Sequence, residues 1–176
     1  LLAAEKGHFE TLRRMQDAGC PIRDEAWSYA ASSGDLEIVL WVVTARPPND
    51  DNNTTMWYEA SRRAAQSGRF NTLRQMLDAG CPISDEAWLH AASSVDLEIL
   101  QWVLTARPPS DDNNRPMWYE ASRRAAQSGR FNTLRQMLDA GCPISDEAWL
   151  HAASSVDLEI LQWVLTARPP SDDNNR

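Results

Sequence analysis

Three copies of one short segment carry the residue types that could support chemistry. A cysteine, two acids and a tryptophan recur in "DAGCPIRDEAW" and in two copies of "DAGCPISDEAW", which start at Asp17, Asp78 and Asp139. In the second copy Cys81 precedes Asp85 and His90, so a thiol, a carboxylate and an imidazole lie close together in sequence. Nucleophilic catalysis needs such groups to converge with an orienting partner. An intact copy on both complete units is typical of an array, and we expect no enzyme.

The Gly-Cys-Pro part of this segment is typical of a structural joint between helices. Gly80 can take the left-handed conformation that ends a helix, and Pro82 prevents its extension. This predicts Cys81 as a small buried filler, with Ser84 or Asp85 as the N-cap of the next helix. No second cysteine or paired histidine stands nearby in sequence, so the spacing of a zinc site is absent. We expect neither a metal nor a cofactor.

The three cysteines, Cys20, Cys81 and Cys142, occupy equivalent positions of successive units. A disulfide needs Cα atoms within about 7 Å, and stacked hairpins would hold these residues much farther apart. Free thiols favour a reducing compartment, and we expect a cytoplasmic protein. An extracellular location stays open if the chain forms a filament.

A fixed period organises the whole chain. The three segments lie 61 residues apart (78 − 17 and 139 − 78), and residues 56–115 return unchanged as 117–176. Residues 1–55 align with 62–116 without a gap and differ at 18 positions. Such a period is the signature of a repeat architecture. We therefore predict one continuous solenoid of three units, over 1–55, 56–116 and 117–176.

Each complete unit contains four stretches that read as helices. They are "MWYEASRRAAQS", "RFNTLRQMLDA", "SDEAWLHAASS" and "DLEILQWVLTA". Apolar residues fall on helical stripes, Phe70, Leu73, Met76 and Leu77 in one and Leu97, Leu100, Val103 and Leu104 in another. No stretch alternates as a half-buried strand would. The predicted fold class is all-α, a solenoid of about six stacked helix-turn-helix hairpins. Trp57, Trp88 and Trp102 are expected to pack between them.

The remaining segments and the overall charge exclude several classes of partner. The net charge of −8 disfavours nucleic acid, because phosphate binding needs clustered Lys and Arg. No apolar run approaches the ~20 residues of a membrane span.

The oxygen-rich "SDDNN" tract lacks the spacing of an EF-hand. It is expected to be a solvated loop that protrudes at every second junction, with no apolar anchor between Pro109 and Pro116.

The helical segments resemble ankyrin repeats. "AAQSGRFNTLRQMLDAG" is similar to the family's small-residue helix, Gly turn and Leu-rich second helix, and "AASSVDLEILQWVL" is similar with Val95 in place of the glycine. In the first unit "AASSGDLEIVLWVV" keeps Gly34, and the "GCPxxDE" joint looks like that of divergent ankyrin arrays. The chain departs from the family at the Thr-Pro-Leu-His turn, and His90 falls one place late. The resemblance implies a solenoid that recognises another protein.

The resemblance also implies where a partner would bind. In ankyrin arrays the variable positions lie on the first helix of each hairpin. In this chain these positions are Tyr58, Arg63, Gln66, Asp85, His90, Ser93, Tyr119, Arg124, Gln127, Asp146, His151 and Ser154. In the first unit the corresponding surface differs in part, at Leu2, Glu5 and Tyr29.

Two alternatives to a binding module stay open at this point. A chain of identical units can associate with copies of itself end to end, since a heterologous contact propagates into a filament unless it closes. Leu150, Trp163 and Val164 of the last hairpin are expected on the surface that such a contact would use. A designed repeat array without a natural partner is the second alternative.

Overall fold

The computed structural model describes residues 9–155 and 157–167. Within these ranges the chain forms eleven α-helices and two 3₁₀ turns, and no strand is present. The helices are α1 (Phe9–Asp17), α2 (Asp24–Ala31), α3 (Leu36–Ala45), α4 (Thr54–Gln66), α5 (Phe70–Asp78), α6 (Asp85–Ala92), α7 (Leu97–Ala106), α8 (Arg115–Gln127), α9 (Phe131–Asp139), α10 (Asp146–Ala153) and α11 (Leu158–Ala167). The prediction of an all-α fold is confirmed.

The structure divides into two compact units, Leu1–His90 and Ala91–Arg176, which are not the three sequence repeats. In the structural description, the first and second unit mean these two. In the first unit α2 packs against α3 and α4, and α5 packs against α3 and α4. In the second unit α8 packs against α9 and α10, α7 packs against α9, and α10 packs against α11. Helices therefore contact their neighbours in sequence or the helix next but one, which is compatible with a helical repeat. The unit boundaries at 55 and 116 stay a prediction.

The Gly-Cys-Pro joints end one helix and start the next as the sequence predicts. Gly80 adopts a φ of +78°, and its amide donates to the Leu77 carbonyl at 2.9 Å. The Cys81 amide donates to the Met76 carbonyl at 2.9 Å, which completes a Schellman-type end. Ser84 then caps α6, because its hydroxyl accepts from the Ala87 amide at 3.2 Å. The cap is the serine, and the acidic residue after it is the first residue of the helix.

Buried residues follow the predicted helical stripes with some displacement. Leu73 and Met76 are fully buried, whereas Phe70 and Leu77 are half-buried. In α7, Leu100 and Val103 are buried as predicted, but Leu97 is 40% exposed and Ile99 is buried instead. The stripe of α7 is therefore turned by about one residue. Trp57 and Trp88 are buried as expected, and Trp102 is half-buried.

Residues 110–113 of the long joint are exposed, as its polar composition predicts, whereas the asparagines that end the joint are buried. Asn53 and Asn114 are 3% and 4% exposed, and their side-chain amides donate to the carbonyls of Pro47 and Pro108 at 2.9 Å and 3.0 Å. A 3₁₀ turn over Asp112–Asn114 leads directly into α8, which starts at Arg115. Buried asparagines thus anchor the two copies of the joint that lie within the described residues, because each satisfies a backbone carbonyl.

Candidate functional site

The cysteines of the joints divide into two buried thiols and one exposed thiol. Cys81 and Cys142 are 3% and 4% exposed, whereas Cys20 is exposed, and all three are free. Burial raises the pKa of the Cys81 and Cys142 thiols to about 12. Since the thiolate is the reactive form, the two buried thiols are poor nucleophiles. The prediction of Cys81 as a buried filler is confirmed, and the equivalent Cys142 is buried in the same way, whereas Cys20 is exposed.

His90 pairs with Glu86 of its own helix and not with Asp85. His90 Nε2 lies 3.3 Å from Glu86 Oε1, one helical turn earlier on α6, and both side chains are about one-third exposed. The carboxylate expected beside it, Asp85, is an exposed residue of the first turn. An i,i+4 pair at the surface is a common way to organise a helix face.

The equivalent histidine on α10 borders a shallow open pocket. Glu147, Leu150, His151 and Ser154 line this pocket, whose volume is about 320 Å³. Two of its four lining residues, His151 and Ser154, were predicted as partner-binding positions. Leu150 gives it an exposed apolar floor, since this side chain is 69% exposed. The pocket combines one apolar and three polar side chains.

A charged network covers the exposed side of α4 in the first unit. The Arg62 guanidinium donates to both carboxylate oxygens of Glu59, at 2.7 Å and 2.9 Å, and Arg63 Nε lies 2.8 Å from Glu59 Oε1. The hydrogen bond from Arg62 holds the pKa of the Glu59 carboxyl below its usual value. Arg63 also lies over the ring of Tyr29 of α2, 3.9 Å from its centre. The network therefore links α4 to α2, each the first helix of its hairpin.

The second unit has a similar network, built around Glu120. Arg123 and Arg124 both pair with Glu120, and the hydrogen bond from Arg123 lowers the pKa of that carboxyl. Arg123 Nε also lies 3.7 Å from Glu147 of α10. Each unit thus carries one such surface, and we call it the first-helix face of that unit. It comprises Tyr29, Tyr58, Glu59, Arg62, Arg63, Glu86 and His90 in the first unit, and Tyr119, Glu120, Arg123, Arg124, Glu147 and His151 in the second.

Most of the predicted partner-binding residues are accessible to solvent. Tyr58 and Tyr119 are 44% and 41% exposed. Exposed positions also include Gln66, Asp85, Gln127, Asp146, His151 and Ser154, while Arg63, His90 and Arg124 are half-exposed. Ser93 is a correction, because this residue is only 4% exposed and cannot contact a partner. Of the corresponding positions in the first sequence repeat (residues 1–55), Tyr29 is half-buried, and Leu2 and Glu5 lie outside the described residues.

The residues that hold the arginines of the first-helix face in place were not predicted from the sequence. Glu59, Arg62, Glu120 and Arg123 were not singled out, although each Glu stands three residues before one Arg and four before another. That spacing is a known signal for side-chain pairs on a helix. The Glu–Arg pairs could therefore have been predicted from the sequence. They hold in place the arginines that the resemblance assigned to the partner surface.

Neither a metal cluster nor a membrane-spanning helix is found in the described part of the chain. No group of three or more His, Cys, Asp or Glu side chains there could hold a metal ion. None of the helices in residues 9–155 and 157–167 is both long and apolar enough to cross a membrane. Comparison of the chain with family models, with curated proteins and with solved structures found no match.

Proposed function

We propose that this chain is a protein-recognition array of ankyrin-like hairpins, stacked as a solenoid in a 61-residue double-hairpin period. In this proposal the array has no catalytic activity and binds another protein through the first-helix face. The observation that carries it is the repetition of one organised surface, a half-exposed tyrosine beside an arginine pair fixed by glutamate, in both units. Tyr and Arg are enriched among the residues that dominate binding energies.

Pre-organisation of the arginines supports this assignment. Binding a flexible Arg side chain loses rotamer freedom, which weakens association. Here Glu59 and Glu120 already hold the arginines before a partner arrives. The three free thiols favour a reducing compartment, and we propose that the array acts in the cytoplasm.

The proposal is tested by comparing two double variants of the full chain as immobilised bait. Tyr58→Ala/Tyr119→Ala removes two exposed rings of the first-helix face. The control Gln101→Ala/Gln162→Ala changes two side chains that are exposed on second helices. A partner recovered by the wild type and the control, then purified, should bind the tyrosine variant about 30-fold more weakly, as for loss of an interface hot spot. Equal binding to both variants would refute the first-helix face as the site.

A further inference from the structure

Two stretches of the chain have the same sequence, and each lies inside one structural unit. Residues 56–90 belong to the first unit and residues 117–151 to the second, and the two stretches are identical. The first stretch contains most of α4, all of α5 and the start of α6, and the second contains the corresponding parts of α8, α9 and α10. Apart from Tyr29, every residue of the two first-helix faces falls in these stretches. Each unit therefore offers the same side chains to a partner.

The side chains at the centre of the two faces are also equally accessible. Tyr58 and Tyr119 are 44% and 41% exposed, and the side chains of Glu59 and Glu120 are both 31% exposed. In each unit the glutamate pairs with two arginines of its own helix. A partner that recognises α4 of the first unit therefore finds the same groups on α8 of the second.

A series of hydrogen bonds ties the face of the first unit together from within that unit. Ser61 of α4 is fully buried, and its hydroxyl donates to the Tyr58 carbonyl at 2.9 Å. The same hydroxyl accepts from the Ser84 amide at 3.0 Å, and the Ser84 hydroxyl accepts from the Ala87 amide at 3.2 Å. The backbone of the exposed tyrosine is thereby joined to the first turn of α6.

The second unit contains the same series of hydrogen bonds. The Ser122 hydroxyl donates to the Tyr119 carbonyl at 2.8 Å and accepts from the Ser145 amide at 3.0 Å. The Ser145 hydroxyl accepts from the Ala148 amide at 3.1 Å. All four residues of each series belong to one unit. Each face is therefore positioned by the helices of its own unit.

We propose that the chain carries two equivalent and independent partner sites, one on the first-helix face of each unit, and so binds two molecules of one partner. This inference rests on the proposed function, because the sites are those assigned there. An Arg side chain only donates hydrogen bonds, so the partner's epitope supplies acceptors such as carboxylate oxygens. Two equal sites also raise the avidity for any partner that presents its epitope twice.

The test uses a peptide probe that is obtained without the natural partner. A random peptide library is selected on the wild-type chain, after peptides that also bind the Tyr58→Ala/Tyr119→Ala chain have been removed. Titration calorimetry then gives the number of peptides bound per chain, and we expect two with equal affinities. One peptide per chain would overturn the two-site inference and leave the proposed face in place. A selection that yields no face-dependent peptide would overturn the proposed function and this inference with it.

The two single tyrosine variants assign one peptide to each unit. Tyr58→Ala and Tyr119→Ala should each bind one peptide with the wild-type affinity, because the face of the other unit is unchanged. The control Gln101→Ala/Gln162→Ala should still bind two. Loss of both peptides in either single variant would show one site shared by the two units and would contradict the proposal.

The buried serines test whether each site is positioned by its own unit. In the Tyr119→Ala chain only the site at Tyr58 remains. Adding Ser61→Ala there should weaken peptide binding about fivefold, as for one lost hydrogen bond. Ser122→Ala is the matched change in the other unit and should leave the affinity unchanged. Equal weakening by both serine variants would overturn the independence of the sites, and circular dichroism verifies that each variant keeps its helices.

Discussion

Two helical hairpins of this chain have identical sequences but different neighbours. Residues 85–106, which include α6 and α7, are identical to residues 146–167, which include α10 and α11. Ser93 is 4% exposed where Ser154 is exposed, and Leu97 is 40% exposed where Leu158 is 79% exposed. Because the sequences are identical, their own helical patterns cannot produce this difference. The following hairpin produces it, through α9 in the internal case.

The comparison shows that burial in this fold is a property of neighbouring repeats. A single hairpin leaves one apolar side open, and the next hairpin covers it. The same residue can therefore be a core residue in one copy and a surface residue in another. The first experiment compares the two copies directly, and two others, with smaller expected effects, test the joint before the covering hairpin and the first-helix face.

The largest effect is expected from truncating the same leucine in both copies. Leu100 is fully buried, and Leu100→Ala should lower the free energy of unfolding by about 2–5 kcal/mol, the range for a leucine deleted from a core. Leu161 is half-buried, and Leu161→Ala should lower it by only about 1 kcal/mol, because less apolar area is removed from water on folding. Urea denaturation of the two variants measures the difference. Equal losses would mean that the following hairpin does not cover Leu100.

An intermediate effect is expected at the joint that leads into the covering hairpin. Asn114→Ala leaves the Pro108 carbonyl without its side-chain donor and should lower the free energy of unfolding by about 1–3 kcal/mol. The neighbouring Asn113→Ala is the control, since Asn113 is exposed and bonds only within the turn, to Asp111. Thermal unfolding of both variants compares them. A smaller loss at Asn114 than at Asn113 would contradict an anchored joint.

The smallest effect concerns pH and the first-helix face. The pKa of Glu59 is lowered in the folded chain by its hydrogen bond from Arg62. The carboxylate therefore stabilises the fold above the unfolded pKa of about 4.3, and this stability is lost as the pH falls through the lower folded pKa. Glu59→Gln should remove the part of the free energy of unfolding that this carboxylate makes dependent on pH. That part is less than about 1 kcal/mol, as for surface pairs.

Arg62→Gln provides the matched variant for that pH experiment, because it removes the donor and keeps the acid. It should flatten the same part of the curve, between about pH 5 and the folded pKa. The free energy of unfolding in urea is measured at several pH values for each variant. An unchanged slope in both variants would show that the pair does not stabilise the fold.

The sequence was sufficient for the helices and for the joints that separate them. Gly80, Pro82 and a serine cap are local signals, and each acts within a few residues of its own position. The apolar stripes were also readable, although α7 is turned so that Ile99 replaces Leu97 in the core. Such a rotation depends on which neighbour the helix packs against, which periodicity alone does not contain.

The sequence was misleading where burial depends on a hydrogen bond or on a neighbouring hairpin. The Asp and Asn residues of the long joint are typical of a solvated loop, yet Asn53 and Asn114 are buried against backbone carbonyls. Ser93 was assigned to a partner surface together with Ser154, and identical local sequence could not separate them. The arginine pairs of the first-helix face were readable in principle from the spacing of Glu59 and Arg62.

The most direct test of burial by the following hairpin is the reaction rate of one thiol placed in each copy. Ser93→Cys and Ser154→Cys are made separately in a Cys20→Ser background, which removes the exposed native thiol. The remaining Cys81 and Cys142 react slowly because their thiols are buried. With a thiol reagent at low protein concentration, the Cys at 154 should react about 100-fold faster or more, since the Cys at 93 must wait for local opening. Equal rates at the two positions would contradict the covering of one copy and the exposure of the other.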